Sequence, residues 1–152
     1  MKFAIATLAA AALAPLAAAD FYIYSIKNGS ANDGMAPVNP NGFFFLNAPP
    51  DCNDVNNKAI FISSLSDVSG GRQGVRCKGC PDFEELEFNL DVGHYTIYKN
   101  RDYGLFTTDD KKVGQCNMDK SDHFQCGNPF SQAGESIVHC TAEFNADPVN
   151  KQ

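Results

Sequence analysis

The chain has 152 residues, a net charge of −6 at neutral pH and no tryptophan. This acidity excludes binding to nucleic acid or to an anionic membrane by bulk electrostatics, since either would require a basic face. The length is sufficient for one domain with its own core, burying about two-thirds of the unfolded surface.

Residues 1–19 have the pattern of a secretory signal peptide. Lys2 precedes a nearly continuous apolar, alanine-rich run, and the alanines at 17–19 place small residues at both positions that signal peptidase reads. The run is too short to span about 30 Å of hydrocarbon, so we predict no membrane span. Cleavage between Ala19 and Asp20 would leave a secreted, extracellular chain with a net charge of −7, because the removed segment contains one lysine and no acid.

Short runs rich in β-branched and aromatic residues, separated by Gly, Asn, Asp and Pro, predict about ten β-strands. They cover residues 21–27, 42–46, 59–63, 74–77, 84–90, 94–100, 105–108, 113–116, 123–126 and 137–144. In the first run Phe21 and Ile23 alternate with Tyr22 and Tyr24. The pattern is typical of an all-β fold, a single-domain, disulfide-bridged β-sandwich or barrel over residues 20–145 with at most one or two short helices.

Three segments outside these runs have features of their own. Residues 51–57 predict a short helix with Asp51 as its N-cap. Residues 28–41 form a long polar connection that begins with the one N-glycosylation sequon of the chain, at Asn28. Residues 146–152 are expected to form a flexible tail.

All six cysteines lie after the predicted signal peptide. They are Cys52, Cys77, Cys80, Cys116, Cys126 and Cys140. An even number in an exported chain predicts three disulfides, and the sequence leaves their connectivity open. We favour a Cys126–Cys140 bridge and separate partners for Cys77 and Cys80. A zinc role for the latter pair is disfavoured because no second pair has matching spacing, and a redox role because the pair lies between strand-like segments and is followed by Pro81. We predict no metal and no cofactor.

Residues 84–90 and 94–100 predict a β-hairpin with one apolar and one polar face. The apolar face carries Leu86, Phe88, Leu90, Tyr95 and Ile97. The polar face carries Glu85, Glu87, Thr96 and Tyr98, with His94 at its rim. Burial of the apolar set favours a register that pairs Leu90 with Tyr95 and Phe88 with Ile97.

Glu85, Glu87 and His94 are the candidate catalytic residues, because carboxylates and a histidine beside a tyrosine are groups of general acid–base catalysis. In residue type they resemble the sheet-borne site of secreted fungal guanyl-specific ribonucleases. The local tyrosine–histidine–glutamate motif of that family is absent, and the hairpin has no arginine before Arg101. The resemblance implies a small secreted hydrolase as one alternative. A solvated face whose acids keep the sheet soluble is the other, and we favour it.

Asn117, Asp119, Asp122 and His123 have the side chains that bind Ca²⁺ or Zn²⁺. They lack the alternating aspartates of a calcium loop, so we predict a solvated turn.

Residues 98–104 resemble the aromatic corner of a βγ-crystallin Greek key, which implies a β-sandwich. Leu105 stands where that family has glycine.

The whole chain resembles the small secreted cysteine-rich proteins of filamentous fungi in its alanine-rich signal, six cysteines, acidity and β-rich pattern. Proteins of that class are often candidate effectors with a role in virulence, acting on a host or competitor. The resemblance implies a non-enzymatic binding protein whose partner is an extracellular protein or glycan. A carbohydrate-binding module is a further alternative, with exposed tyrosines as stacking platforms. The candidates are Tyr22, Tyr24, Tyr98 and Tyr103.

Overall fold

The computed structural model describes residues 18–28, 41–127 and 132–151. Most of the predicted signal peptide and most of the polar connection at 28–41 therefore lie outside the described residues. Of the predicted glycosylation site, only the backbone of Asn28 is described, as the last residue of the first strand.

Within the described residues the chain forms ten β-strands, one α-helix and two 3₁₀ turns. The strands are β1 (Ala19–Asn28), β2 (Gly42–Leu46), β3 (Ile62–Ser63), β4 (Gly74–Lys78), β5 (Glu85–Leu90), β6 (Gly93–Tyr98), β7 (Gly104–Thr107), β8 (Lys112–Met118), β9 (His123–Cys126) and β10 (Gln132–Ala142). The helix α1 spans Cys52–Asn57, and the 3₁₀ turns span Lys99–Arg101 and Val149–Lys151. Each predicted strand is present, although the run at 59–63 contains a strand of only two residues. No helix among the described residues is long and apolar enough to cross a membrane.

The strands form one continuous sheet that curls into a nearly closed, barrel-like structure. Its order is β3-β2-β1-β10-β8-β7-β6-β5-β4, and β9 pairs with the first part of β10. All of the strand pairs are antiparallel, and an isolated parallel bridge joins Ser64, after β3, to Val75 in β4. This bridge connects the two ends of the strand order. The all-β prediction is confirmed, in its barrel form.

Aromatic side chains fill the interior of this sheet. The rings of Phe21 and Phe45 stack with their centroids 6.0 Å apart, and Phe88 meets Phe45 edge-on at 5.1 Å. All three side chains are fully buried, and Ile23 lies in the same cluster, as the alternation in β1 predicts. Burial of such large apolar side chains is the main favourable contribution to the curled sheet.

A second apolar cluster lies on the other face of β1 and β2, beneath α1. It consists of Tyr24, Ile26, Phe44, Leu46, Val55, Phe124 and Cys126. Because both of its faces are covered, β2 is buried at all five positions. The predicted helix and its cap are confirmed: the Asp51 side chain accepts a hydrogen bond from the backbone N–H of Asp54, and the Asp54 side chain accepts one from the N–H of Asp51.

All six cysteines are paired, as predicted, and three disulfides are compatible with an extracellular protein. The bonds join Cys52 to Cys126, Cys77 to Cys80, and Cys116 to Cys140. The expected Cys126–Cys140 bridge is wrong, because Cys140 lies directly opposite Cys116 on β8. Separate partners for Cys77 and Cys80 are also wrong, since Cys77 in β4 bonds to Cys80 in the connection between β4 and β5.

The β5–β6 hairpin has the predicted faces in a different register. Leu90 pairs with Gly93, so the turn contains residues 91 and 92, and Phe88 lies opposite Tyr95. The expected pairing of Phe88 with Ile97 is therefore wrong by two residues, as is that of Leu90 with Tyr95. A shift of two keeps every side chain on its face, because strand side chains alternate with a period of two. Gly93 has φ of 128°, which glycine adopts readily, and this permits the tighter turn.

Residues 146–151 pack against the domain, so the expectation of a flexible tail is wrong for this segment. Ala146 and Val149 are buried in the interior cluster. The Asn150 side chain accepts a hydrogen bond from the N–H of Ile60 at 3.1 Å and donates one to the carbonyl of Phe45 at 2.8 Å. The short 3₁₀ turn thus extends the core beyond the last strand.

Replacing Val149 with alanine should lower the free energy of unfolding by about 2 kcal/mol, because it removes buried methyl groups from the interior cluster. Urea denaturation followed by circular dichroism would measure the change. Lys151→Ala, at an exposed position in the same turn, is the matched control and should leave the midpoint nearly unchanged. Equal midpoints for both variants and the wild type would show that the segment is not docked.

Candidate functional site on the outer face of the sheet

The outer face of β4, β5 and β6 carries two adjacent cross-strand rows of polar side chains. The rows are Arg76–Glu87–Thr96 and Lys78–Glu85–Tyr98. Their outward placement follows from alternation, since the intervening residues of β5 point into the interior.

Glu87 lies at the centre of a hydrogen-bonded cluster, which we call the Glu87 network and which consists of Arg76, Glu85, Glu87 and His94. Arg76 Nε donates to Glu87 Oε2 at 2.7 Å, and Arg76 Nη2 donates to Glu85 Oε1 at 3.1 Å. His94 Nε2 lies 2.8 Å from Glu87 Oε1. The structure thus brings the three candidate catalytic residues together, and Glu87 is only 17% exposed.

Arg76 is the member of the network that the sequence analysis missed. It lies on β4, outside the β5–β6 hairpin, and β4 pairs with β5 on the side opposite β6. Its position in the short run at 74–77 was visible in the sequence. Knowledge that this run pairs with β5 would have identified Arg76 as a neighbour of Glu87. Local alternation does not specify which strands pair.

The electrostatics of the network keep Glu87 ionised. Burial alone would raise the pKa of Glu87, but the hydrogen bonds from Arg76 and His94 more than offset burial and lower the pKa below its usual value. The hydrogen bond to Glu87 likewise raises the pKa of Arg76. Glu87 therefore holds a negative charge whose two oxygens are both engaged by nitrogen groups, which makes it a poor proton donor at neutral pH.

One histidine belongs to the Glu87 network. The chain has three histidines. His94 lies in the Glu87 network, but His123 lies on β9 and His139 on β10, and neither strand pairs with β4, β5 or β6. The Glu87 network is therefore an ion-pair network in which one arginine, one histidine and two glutamates are bonded to one another on the sheet surface.

An open cavity of about 450 Å³ lies beside the Glu87 network, and we call it the Tyr98 pocket. Its lining residues are Lys78, Glu84, Glu85, Tyr98, Lys99 and Asn100. Lys78 Nζ and a Glu84 carboxylate oxygen lie 2.8 Å apart. Glu85 belongs to both the pocket and the network.

Of the four candidate metal ligands, Asn117 and His123 are exposed on β8 and β9, and Asp119 and Asp122 lie in the connection between these strands. Tyr24 donates its hydroxyl to Asp122 Oδ2 at 2.6 Å, and Asp119 accepts a hydrogen bond from the N–H of Ser121 at 2.9 Å. Asn117 lies opposite His139, and His123 is exposed on β9. Within the part of the chain that the structure describes, no group of three or more His, Cys, Asp or Glu side chains is placed to hold a metal ion.

The four candidate tyrosine platforms do not share one surface. Tyr24 is fully buried, and Tyr103 packs edge-on against the buried Phe83. Tyr22 stacks on His139 with the ring centroids 4.3 Å apart, on the β1–β10 side of the sheet. Only Tyr98 of the four lines the Tyr98 pocket.

Comparison of the chain with protein-family models, with curated proteins and with solved structures finds no match. The resemblances to ribonucleases, crystallins and fungal effector proteins therefore remain predictions.

Glu87→Gln should lower the free energy of unfolding by about 1–3 kcal/mol at pH 7, because Arg76 and His94 lose a charged acceptor. Since folding lowers the pKa of Glu87, its contribution is present above the unfolded pKa of 4.5 and is lost as the pH falls through the folded value. Urea denaturation at several pH values should therefore show that the difference in the free energy of unfolding between Glu87→Gln and the wild type decreases as the pH falls.

Glu84→Gln is the control for this experiment, because Glu84 forms only a well-exposed pair with Lys78, and such pairs contribute little. The assignment of Glu87 as a charged structural group would be contradicted if Glu87→Gln had the wild-type free energy of unfolding at pH 7. It would also be contradicted if the difference between the two proteins did not decrease in acid.

Tyr24→Phe should also destabilise the protein at pH 7, by about 2 kcal/mol, because it removes a partly buried hydrogen bond to a carboxylate. Burial, with the hydrogen bond to Asp122, raises the pKa of Tyr24 well above its usual value of 10.0. The folded state thus retains this proton longer than the unfolded state, so the Tyr24 contribution is complete below pH 10 and declines above it. Urea denaturation between pH 7 and pH 11 should show that the difference in the free energy of unfolding between Tyr24→Phe and the wild type decreases only above pH 10. A difference in the free energy of unfolding that stays constant with pH would refute the account.

Proposed function

We propose that the chain is a secreted, disulfide-stabilised, non-enzymatic binding protein of effector type, which acts outside the producing cell. The observation that carries the proposal is the Glu87 network. At the face best suited to acid–base chemistry, Arg76, Glu85, Glu87 and His94 are bonded to one another. Groups held in this way stabilise a surface and present it to a partner.

Export is supported by the signal pattern and by the position of the predicted cleavage point in the fold. Cleavage between Ala19 and Asp20 would remove only the first residue of β1. Phe21, the first residue of the interior cluster, would stay in place. The three disulfides then suit the oxidising surroundings outside the cell.

The partner we propose is an extracellular protein or glycan, from a host or competitor. The outer face alternates cations and carboxylates, so its charges are matched locally. The net charge of −6 opposes a polyanion at long range. Both features favour a polar partner without a large charge of one sign.

A small ribonuclease-like hydrolase is the second candidate, and Arg76 is the observation in its favour. An arginine, a glutamate and a histidine within hydrogen-bond distance are able to hold a phosphate and take up a proton. Two of the nitrogens of Arg76 are occupied by Glu85 and Glu87, however, so a phosphate would have to displace a carboxylate.

Incubation of the purified protein with RNA of mixed sequence at pH 5–8 separates the two candidates. We expect no cleavage above background for the wild type, for His94→Ala or for the matched control His123→Ala. The hydrolase would be favoured over the binding protein if the wild type and His123→Ala cleaved RNA. His94→Ala would then have to lose this cleavage at an unchanged melting temperature. The melting temperature is needed because His94 also stabilises the network.

A further inference from the structure

We infer that the Tyr98 pocket binds one unit of a neutral saccharide, with the Tyr98 ring as the stacking platform and with Lys99 and Asn100 as hydrogen-bonding groups. This inference rests on the proposed function, since it selects the glycan as the partner of the outer face. Three observations carry it: the support of the Tyr98 ring, the unbonded polar side chains at the pocket, and the balance of charge around it.

The Tyr98 ring is held in place by neighbours on the β7 side. Phe106 on β7 lies 6.1 Å away between ring centroids, and the guanidinium carbon of Arg101 lies 5.7 Å from the centre of the Tyr98 ring. Arg101 is itself stacked over Phe106 at 3.5 Å. A ring supported in this way loses little conformational freedom when a ligand packs against it, which lowers the cost of binding.

The pocket also offers polar groups that the fold does not use. The side chains of Lys99 and Asn100, in the 3₁₀ turn after β6, make no hydrogen bond or ion pair with the other described residues. Glu85 adds a carboxylate acceptor from β5, and Asn100 both donates and accepts. An aromatic surface with a few convergent polar groups is the usual composition of a small-molecule site, and about 450 Å³ is within the usual range of volumes.

The charges around the pocket favour a neutral ligand. Lys78 is paired with Glu84, and Glu85 is paired with Arg76, which leaves Lys99 as a single cation near Glu84. A polyanion would approach Glu84 and Glu85, and a cationic ligand would approach Lys78 and Lys99, so both would meet a like charge. A saccharide has an apolar C–H face to stack on Tyr98 and hydroxyls to bond with Lys99, Asn100 and Glu85.

Binding should be measured by NMR titration or calorimetry with four neutral probes, namely cellohexaose, laminarihexaose, mannohexaose and chitohexaose, and with trigalacturonic acid as an anionic comparison. We expect at least one neutral probe to bind with a millimolar or better dissociation constant and to shift the signals of Tyr98 and Asn100. Tyr98→Ser should weaken that binding by about tenfold, whereas Tyr98→Phe, which keeps the ring, should retain most of it.

Tyr22→Ser is the matched control, because Tyr22 is a partly exposed tyrosine on a different part of the sheet, and it should bind like the wild type. The inference is overturned if no neutral probe binds at about 10 mM. It is also overturned if Tyr98→Ser binds as tightly as the wild type, or if Tyr22→Ser loses binding. A preference for the anionic probe would overturn it as well. RNA cleavage by the same wild-type preparation would refute the proposed function, whereas absent saccharide binding without cleavage would refute this inference alone.

Discussion

The constraint on which the structure depends is the burial of one face of each strand around a cluster of phenylalanines. In β5, Leu86, Phe88 and Leu90 point inward, so Glu85 and Glu87 must point outward. The pairing of β4 with β5 then places Arg76 directly opposite Glu87. The Glu87 network is thus a consequence of the packing on the opposite face of the same strands. Any change that slipped one strand by a single residue would disperse it.

The remaining described segments cover apolar side chains that the curled sheet alone would leave exposed. On the outside of β1 and β2, the helix α1 covers a second apolar cluster and is tied to β9 by the Cys52–Cys126 bond. The hydrogen bond from Tyr24 to Asp122 joins β1 to the β8–β9 connection on the same side. At the C-terminal end, Val149 joins the interior cluster. Neither apolar cluster includes a residue from the outer face of β4, β5 and β6, and the Tyr98 pocket on that face is open to solvent.

Features that depend on a few neighbouring residues could be predicted from the sequence, and features that depend on pairing between distant residues could not. Alternation placed Phe21 and Ile23 inside the sheet and Glu85 and Glu87 outside it, and Asp51 was recognisable as a helix cap from its local context. The partners of Cys126 and Cys77, and the approach of Arg76 to Glu87, depend on which strands become neighbours. The tail expectation was wrong because Ala146 and Val149 are isolated buried residues in a mostly polar stretch, and two such side chains produce no periodic pattern.

The central claim is that Arg76 and Glu87 act on each other as a structural pair on the outer face of the sheet. A double-mutant cycle with Arg76→Gln and Glu87→Gln, measured by urea denaturation at pH 7, tests this most directly. The account predicts a coupling energy of about 1–3 kcal/mol, as for other contacting charged groups in one network. A coupling energy near zero would mean that the two groups are independent and solvated, and it would contradict the account.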